Sequence, residues 1–259
     1  MQDKLLFLSD VHLGAHGKLK DYRIENRLID IIDFAEKDNF KIVILGDLYD
    51  YWMEYPDHKP DLGHRLMRRF KKYHQNDNPS TLYITGNHDC WTHDYHRDIG
   101  FDIEPEYRIL NVNNRAFMVH HGDGLSKPEL NLSRSSLNKL LRNPTFINAY
   151  QELLPPKMGI KGMKYLSKMS RPVDVGLDKK IKSLNAWAKE ILTATDIDFM
   201  LCGHDHRART VTVGEKKFIN TGAFFEDFKV AIYNSCELEL VTWTEDLKRK
   251  SADRQYQYK

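Results

Sequence analysis

Residues 5–12, LLFLSDVH, run from four apolar residues directly into Asp10 and His12. Short apolar runs that are rich in branched and aromatic side chains favour buried strands. This pattern therefore predicts a strand with metal-ligand side chains at its carboxyl end. The same arrangement recurs in four further stretches: 42–47 (IVILGD), 82–89 (LYITGNHD), 117–123 (FMVHHGD) and 199–206 (FMLCGHDH).

A helix is predicted between the first two of these strands. Tyr22 to Asn39 carries apolar side chains at helical spacing, so residues 5–45 form a strand, a helix and a second strand. Such units build largely parallel sheets, whose sites form at the carboxyl ends of the strands. The predicted class is therefore α/β, with all five polar clusters at one edge of the sheet.

The pattern changes between residues 125 and 195, where helical stretches follow one another at 132–141, 146–153, 160–169 and 177–192. This segment is interpreted as a helical cap inserted beside the site. After it, short alternating stretches at 211–213, 217–219, 230–233 and 238–243 predict antiparallel strands that close a second sheet. The predicted organisation is a core of 1–124 and 196–245, a cap of 125–195 and a polar tail of 246–259.

Composition describes an ordinary globular chain. Its 259 residues carry a net charge of only +2. A protein with so little net charge has no strong overall attraction for nucleic acid, so a nucleic-acid partner is not expected. The three cysteines are too widely spaced for a zinc ribbon and favour a reducing compartment, which predicts a cytoplasmic protein. The apolar run at the start is too short for a signal peptide or a membrane span.

The polar clusters have the chemistry of a metal centre. Asp10 and His12 are two residues apart and can share one ion, and His204 and His206 repeat this spacing. Mixed carboxylate, imidazole and amide ligands suit Mn²⁺, Fe²⁺ or Zn²⁺. Two adjacent ions need a shared ligand, for which Asp47 is the natural candidate. The predicted ligands of two divalent ions are Asp10, His12, Asp47, Asn87, His121, His204 and His206.

Together these motifs resemble the complete set of the calcineurin-like metallophosphoesterases, over residues 5 to about 243. The resemblance implies a four-layered α/β/β/α sandwich with a helical cap insertion, and hydrolysis of phosphate esters or anhydrides. It also implies two groups of metal ligands that share Asp47. One group is Asp10, His12, Asp47 and His206, and the other is Asp47, Asn87, His121 and His204.

Within that family, residues 9–14, residues 47–52 and the insertion resemble the pyrophosphohydrolases that act on UDP-2,3-diacylglucosamine in lipid A synthesis. This resemblance implies an acylated nucleotide-sugar substrate, release of UMP, Mn²⁺ as cofactor and a cap over the acyl chains. Several such enzymes carry arginine where this chain has His88. A phosphodiesterase or phosphatase acting on a soluble nucleotide is therefore the alternative, and a non-catalytic scaffold is a third hypothesis that seven retained ligand residues disfavour.

Two further residues are catalytic candidates. His88 follows a ligand and precedes Asp89, so it could donate a proton or stabilise the transition state while the carboxylate orients its ring. The alternative is that His88 only orders its loop. Four other histidines match no motif position and are expected behind the ligands or on the surface: His16, His93, His96 and His120.

The insertion is basic. Residues 124–190 hold 13 Lys and Arg against 5 Asp and Glu, a local charge of +8 that leaves −6 for the remainder. A basic, amphipathic cap suits an anionic lipid and peripheral contact with the inner membrane. The alternative is that its apolar residues only pack the helices together. The substrate-binding residues within 125–195 are not identified by the sequence.

Overall fold

The structure is a computed structural model that describes residues 3–244 except 77, 93 and 171–175. The tail prediction for 246–259 and the prediction for His93 lie outside the described residues. The strands are β1 Lys4–Leu8, β2 Phe40–Ile44, β3 Thr81–Ile84, β4 Phe101–Glu104, β5 Tyr107–Val112, β6 Arg115–His120, β7 Phe199–Cys202, β8 Arg209–Val213, β9 Lys216–Asn220, β10 Lys229–Tyr233 and β11 Leu238–Thr242. The helices are α1 Lys18–Asp38, α2 His64–Gln75, α3 Tyr95–Asp98, α4 Ser136–Leu141, α5 Pro144–Leu153, α6 Pro156–Ser170, α7 Leu177–Ala194 and α8 Phe224–Asp227.

The strands form two sheets. The first has the order β11-β10-β1-β2-β3-β4, in which β1 to β4 are parallel and β10 pairs antiparallel with β1. The second has the order β5-β6-β7-β9-β8, with β6, β7 and β9 parallel. The prediction that the late strands close a second sheet was right for β8 and β9 and wrong for β10 and β11. The latter pair extends the first sheet along β1, because alternating polarity does not specify which edge a hairpin joins.

Successive side chains along each strand point to opposite faces of the sheet, and this divides the apolar core into layers. In β1, Leu6 and Leu8 pack towards α1 and α2, whereas Leu5 and Phe7 face the second sheet. In β7, Phe199 points to this space between the sheets. Since successive side chains of a strand point to opposite faces, each sheet has apolar residues on both sides and is covered on both.

The fourth layer is α7, which the sequence assigned to the cap. Its Leu184, Trp187 and Leu192 pack against Met200 and Phe218 on the outer face of the second sheet. The cap boundary at residue 195 was therefore wrong, and the separate cap ends before α7. Helical periodicity reveals that one face is buried but not which surface buries it.

The remaining helices of the insertion, α4 to α6, form the cap over the loops that follow β2 and β3. Leu141 of α4 packs with Met53, Tyr55 and Trp91 from those loops. The Trp91 indole N–H donates a hydrogen bond of 2.8 Å to the Leu141 carbonyl. The cap therefore rests on the segments that flank the polar clusters. Among the described residues, no helix has both the length and the apolar character needed to cross a membrane.

Candidate metal centre

The first group of side chains lies at the ends of β1 and β7. Asp10, His12 and His206 have ligand atoms that lie within 4.8 Å of one another. The two imidazoles meet with their Nε2 atoms 3.1 Å apart, and His206 Nε2 is 3.3 Å from an Asp10 carboxylate oxygen. Asp10 and His12 thus lie together, as predicted for one pair, and His206 reaches them from the other sheet. His204 does not share this group with His206 and belongs to the second group.

The second group lies at the ends of β2, β3, β6 and β7. Asp47, His121 and His204 have ligand atoms within 4.8 Å of one another. Asn87 joins them, because its side-chain oxygen is 3.2 Å from His121 Nε2. All seven predicted ligand residues are therefore brought into two neighbouring groups.

Asp47 lies between the two groups. Its Oδ2 atom is 3.6 Å from His12 Nε2 in the first group and 3.4 Å from His121 Nε2 in the second. Its other carboxylate oxygen accepts a hydrogen bond of 3.0 Å from the His88 backbone N–H. One side chain can thus face two cations while its own orientation is fixed from the backbone.

The backbone at this centre is unusual. Five of the seven residues have φ angles between +48° and +73°, a region that side chains other than glycine seldom adopt. Each such residue costs of order 1–3 kcal/mol and persists where the surroundings force it, often at functional sites. The strained residues are Asp10, His12, Asp47, His204 and His206.

Two glycines next to ligands are needed for close approach. A Cβ at Gly86 would lie 2.0 Å from an Asp47 carboxylate oxygen, and one at Gly203 would lie 2.1 Å from an Asp10 carboxylate oxygen. Any side chain at either position would push a carboxylate out of its group. The glycines of the motifs are therefore explained by the space that the ligands occupy.

The pKa values of the buried carboxyl and imidazole groups suit the centre to binding cations. Burial opposes ionisation of Asp47, but His121 and other histidines hold the pKa of its carboxyl well below the ordinary value. Burial likewise opposes protonation of His121, and the Asp47 carboxylate overcomes this and raises the pKa of its ring to about 10. Burial lowers the pKa of His204 to about 4, so this ring is neutral, as a metal ligand must be.

The orientation of His121 completes the fit to a metal. Its Nδ1–H donates a hydrogen bond of 2.8 Å to the Leu45 carbonyl, which leaves Nε2 pointing towards Asp47 and Asn87. A backbone carbonyl that fixes the distal nitrogen is the usual support of a metal-binding histidine. The residues present thus fit a pair of divalent ions in donor type, burial and orientation.

The catalytic candidates are placed differently from the prediction. The Nδ1–H of His88 donates to the Asp50 carbonyl over 2.8 Å. The Asp89 carboxylate accepts hydrogen bonds from the Leu48 and Gly86 backbone N–H groups and from the Tyr83 hydroxyl. A peptide carbonyl therefore orients the His88 ring, and Asp89 holds the two ligand loops together. The residue order alone suggested the wrong partner, because the loop turns the carboxylate away.

Sequence reasoning missed Asp50. Its Oδ1 atom is 3.7 Å from His12 Nδ1, and its carboxylate groups with the rings of His12 and His88. Asp50 is three residues from Asp47 in a motif that was recognised, and that spacing was the available signal. Two of the unassigned histidines, His96 and His120, are fully buried. His96 packs against Tyr49 and Trp52, and His120 packs against Trp187.

An open cleft joins the centre to the cap. Asn87 and His88 of the centre line it together with Leu137, Leu141 and Met163 of the cap. Its remaining walls include aromatic side chains from the loops after β2 and β3, such as Trp52 and Trp91. The cleft thus offers polar side chains at the metal ligands and apolar side chains beneath the cap.

A family model described as calcineurin-like phosphoesterase matches residues 3–208. A UDP-2,3-diacylglucosamine hydrolase of Wigglesworthia glossinidia brevipalpis is 24% identical over 233 residues, which cover 82% of this chain and 83% of that protein. One of the same description from Porphyromonas gingivalis is 26% identical over 145 residues, or 56% of this chain and only 55% of that protein. A solved archaeal phosphodiesterase aligns with 93% of this chain and 99% of its own at 13% identity, with a TM-score of 0.48.

Proposed function

Because the chain belongs to the calcineurin-like phosphoesterase family, a family of metal-dependent hydrolases, we propose that its substrate is an acylated nucleotide-sugar diphosphate. The specific substrate is UDP-2,3-diacylglucosamine, which would be split into UMP and 2,3-diacylglucosamine 1-phosphate. The observation that carries this proposal is the cleft, in which Asn87 and His88 share one space with Leu137, Leu141 and Met163. The printed names of the curated relatives support the same substrate.

Two divalent ions complete the site in this proposal. Asp10, His12 and His206 would hold one, while Asn87, His121 and His204 would hold the other, with Asp47 shared. Mn²⁺ is our first choice, and Fe²⁺ or Zn²⁺ suits the same donors. A bound pair supplies a hydroxide nucleophile near neutral pH and neutralises charge on phosphate oxygens.

His88 is assigned the proton transfer. In the balanced reaction, a water oxygen bonds to one phosphorus, the bond from that phosphorus to the bridging oxygen breaks, and the departing phosphate takes up a proton. With Nδ1–H held by the Asp50 carbonyl, the ring presents Nε2 as the proton-bearing atom. It acts as an acid when both nitrogens carry protons. Asp89 has the supporting role of fixing the loop between Leu48 and Gly86.

The acyl chains are assigned to the apolar cap side chains of the cleft. Burying each methylene of a chain there contributes about 0.8 kcal/mol, so long chains would favour this position strongly. The outer side of the cap exposes large apolar side chains, with Leu153 79% and Met158 63% exposed. Lys157, Lys161 and Lys164 lie in the same segment. We assign to this outer surface a peripheral contact with anionic membrane lipid, on the cytoplasmic face of the inner membrane.

The competing functions are hydrolysis of a soluble nucleotide and non-catalytic binding. The Mn²⁺-loaded protein is therefore assayed on UDP-2,3-diacylglucosamine in detergent micelles, on UDP-N-acetylglucosamine and on a cyclic nucleotide, with chromatographic identification of UMP. The acylated substrate should be preferred by a factor on the order of 100 in kcat/KM. Equal turnover of both UDP-sugars, or preference for the cyclic nucleotide, would establish the soluble-nucleotide function instead. Loss of all activity in Asp47→Ala identifies the measured turnover as that of this centre.

A further inference from the structure

Arg142 directly follows α4 of the cap, and its side chain reaches into the core beneath the cap. That side chain is only 9% exposed. Its guanidinium donates hydrogen bonds of 2.9 Å to the Thr85 carbonyl and 2.9 Å to the Pro105 carbonyl. A third contact, of 3.2 Å, joins it to the Asp123 carboxylate.

Two of these partners of Arg142, Thr85 and Asp123, belong to loops that carry ligands. Thr85 precedes Asn87 by two residues at the end of β3, and Asp123 follows His121 by two residues at the end of β6. The Asn87 side-chain oxygen and His121 Nε2 are 3.2 Å apart, and both residues are assigned to the same ion. One planar guanidinium therefore links the loop that carries Asn87 to the loop that carries His121. The distance between these loops determines the distance between the two ligands. The fixed fork of donors in arginine suits such a link, which lysine cannot reproduce.

A second buried arginine of the insertion provides a comparison. Arg134 also lies beside the Asp123 carboxylate, with its Nε 3.6 Å away. Its hydrogen bonds run to Glu106, to Ser126 and to the Pro105 carbonyl. Arg134 thus contributes to the same ion cluster, but its hydrogen bonds hold the margin of the insertion instead of the loop that carries Asn87.

We propose that Arg142 is a positioning residue, carried by the cap, that fixes the spacing of Asn87 and His121 and thereby strengthens metal binding at their shared position. The proposal rests on the metal assignment in the proposed function. It also gives the cap a second role, because Leu137 and Leu141 of the same helix line the cleft. An acyl chain bound against α4 would therefore contact the helix whose next residue, Arg142, holds the two ligand loops.

The test compares Arg142→Lys with Arg134→Lys. Both variants keep a positive charge near Asp123, whereas only the first removes the fork between the two ligand loops. Mn²⁺ binding is measured by calorimetry, folding by thermal denaturation, and kcat and KM with bis(p-nitrophenyl) phosphate. We expect Mn²⁺ to bind Arg142→Lys about 10-fold more weakly, while Arg134→Lys stays close to the wild-type affinity.

Unchanged Mn²⁺ affinity in Arg142→Lys, or an equal loss in both variants, would overturn the proposal. A purely structural role would lower the melting temperature and the active fraction without selectively weakening the metal isotherm. Should Arg142→Lys fail to fold, Arg142→Gln is measured in the same way, since its amide can still donate to the Thr85 carbonyl. Because the readouts use Mn²⁺ and a generic diester, failure of the lipid substrate leaves this test intact.

Discussion

The His88 ring is oriented by the Asp50 carbonyl, which accepts a hydrogen bond of 2.8 Å from Nδ1. The same ring meets the edge of the His12 ring, with 4.8 Å between centroids. The proposed proton donor is therefore held against a proposed metal ligand by the backbone of the loop after β2. A main-chain acceptor fixes the tautomer of a histidine without adding a charge.

Replacement of His88 by Ala should lower kcat by about 10²–10⁴-fold, because it removes the proton donor while the metal ligands stay in place. Metal content is measured in parallel by elemental analysis and should stay at the wild-type ratio. Loss of metal together with activity would show that His88 only supports the centre.

Replacement of Asp89 by Ala should chiefly destabilise the fold. The change leaves the buried N–H groups of Leu48 and Gly86 without their acceptor, which costs about 1–3 kcal/mol for each group. Denaturant unfolding measures the free energy of unfolding. A variant of wild-type stability with a large loss in kcat would restore the role in catalysis that the sequence suggested, in which Asp89 orients the His88 ring.

Replacement of Asp47 by Ala should abolish turnover and lower the number of ions bound, because one carboxylate faces both groups of ligands. Asp61→Ala is the control, since its side chain is 92% exposed. The two variants are compared by activity and by Mn²⁺ titration. Near-wild-type activity of Asp47→Ala at limiting metal would contradict the shared-ligand assignment.

Stability should depend on His120 in mildly acidic solution. Burial lowers the pKa of this ring from 6.5 to about 3, so the unfolded chain binds the proton more tightly than the folded chain. The resulting stability is complete above pH 6.5 and is lost as the pH falls towards 3, by about 5 kcal/mol in full. Melting temperatures of the metal-free protein between pH 7 and 4 are compared with those of His120→Phe. An equally steep fall in the variant would exclude His120 as the cause.

A charge in the cleft should discriminate between substrates. Met163→Glu introduces a carboxylate among the apolar cap side chains and should raise KM for the acylated substrate in micelles by about 10-fold or more. Turnover of bis(p-nitrophenyl) phosphate should remain near wild type. Leu19→Glu is the matched control, because Leu19 is 80% exposed and belongs to α1, outside the insertion. If the two changes raised KM for the acylated substrate equally, the proposal that the acyl chains bind in the cleft would be wrong.

The sequence predicted that ligands converge because parallel strands of one sheet end at a common edge. It did not show that β1 to β3 belong to one sheet and β6 and β7 to another. It could not assign α7, since Leu184 and Trp187 would be apolar whether they faced a cap or a sheet. It also misplaced the carboxylate of Asp89. The direction of a loop side chain depends on hydrogen bonds to distant backbone groups, here that of Leu48, and no local pattern encodes them.

The left-handed backbone at the ligand residues lowers the stability of the metal-free fold, because each such residue is strained. Glycine or asparagine would relax the conformation of His12 or Asp10 at little steric cost, so selection for heat resistance alone would drift towards these residues. Each such replacement would relieve backbone strain while erasing a ligand. In the proposed function, the free energy of ion binding would offset the strain at these positions, so the holoprotein would gain stability that the metal-free chain lacks.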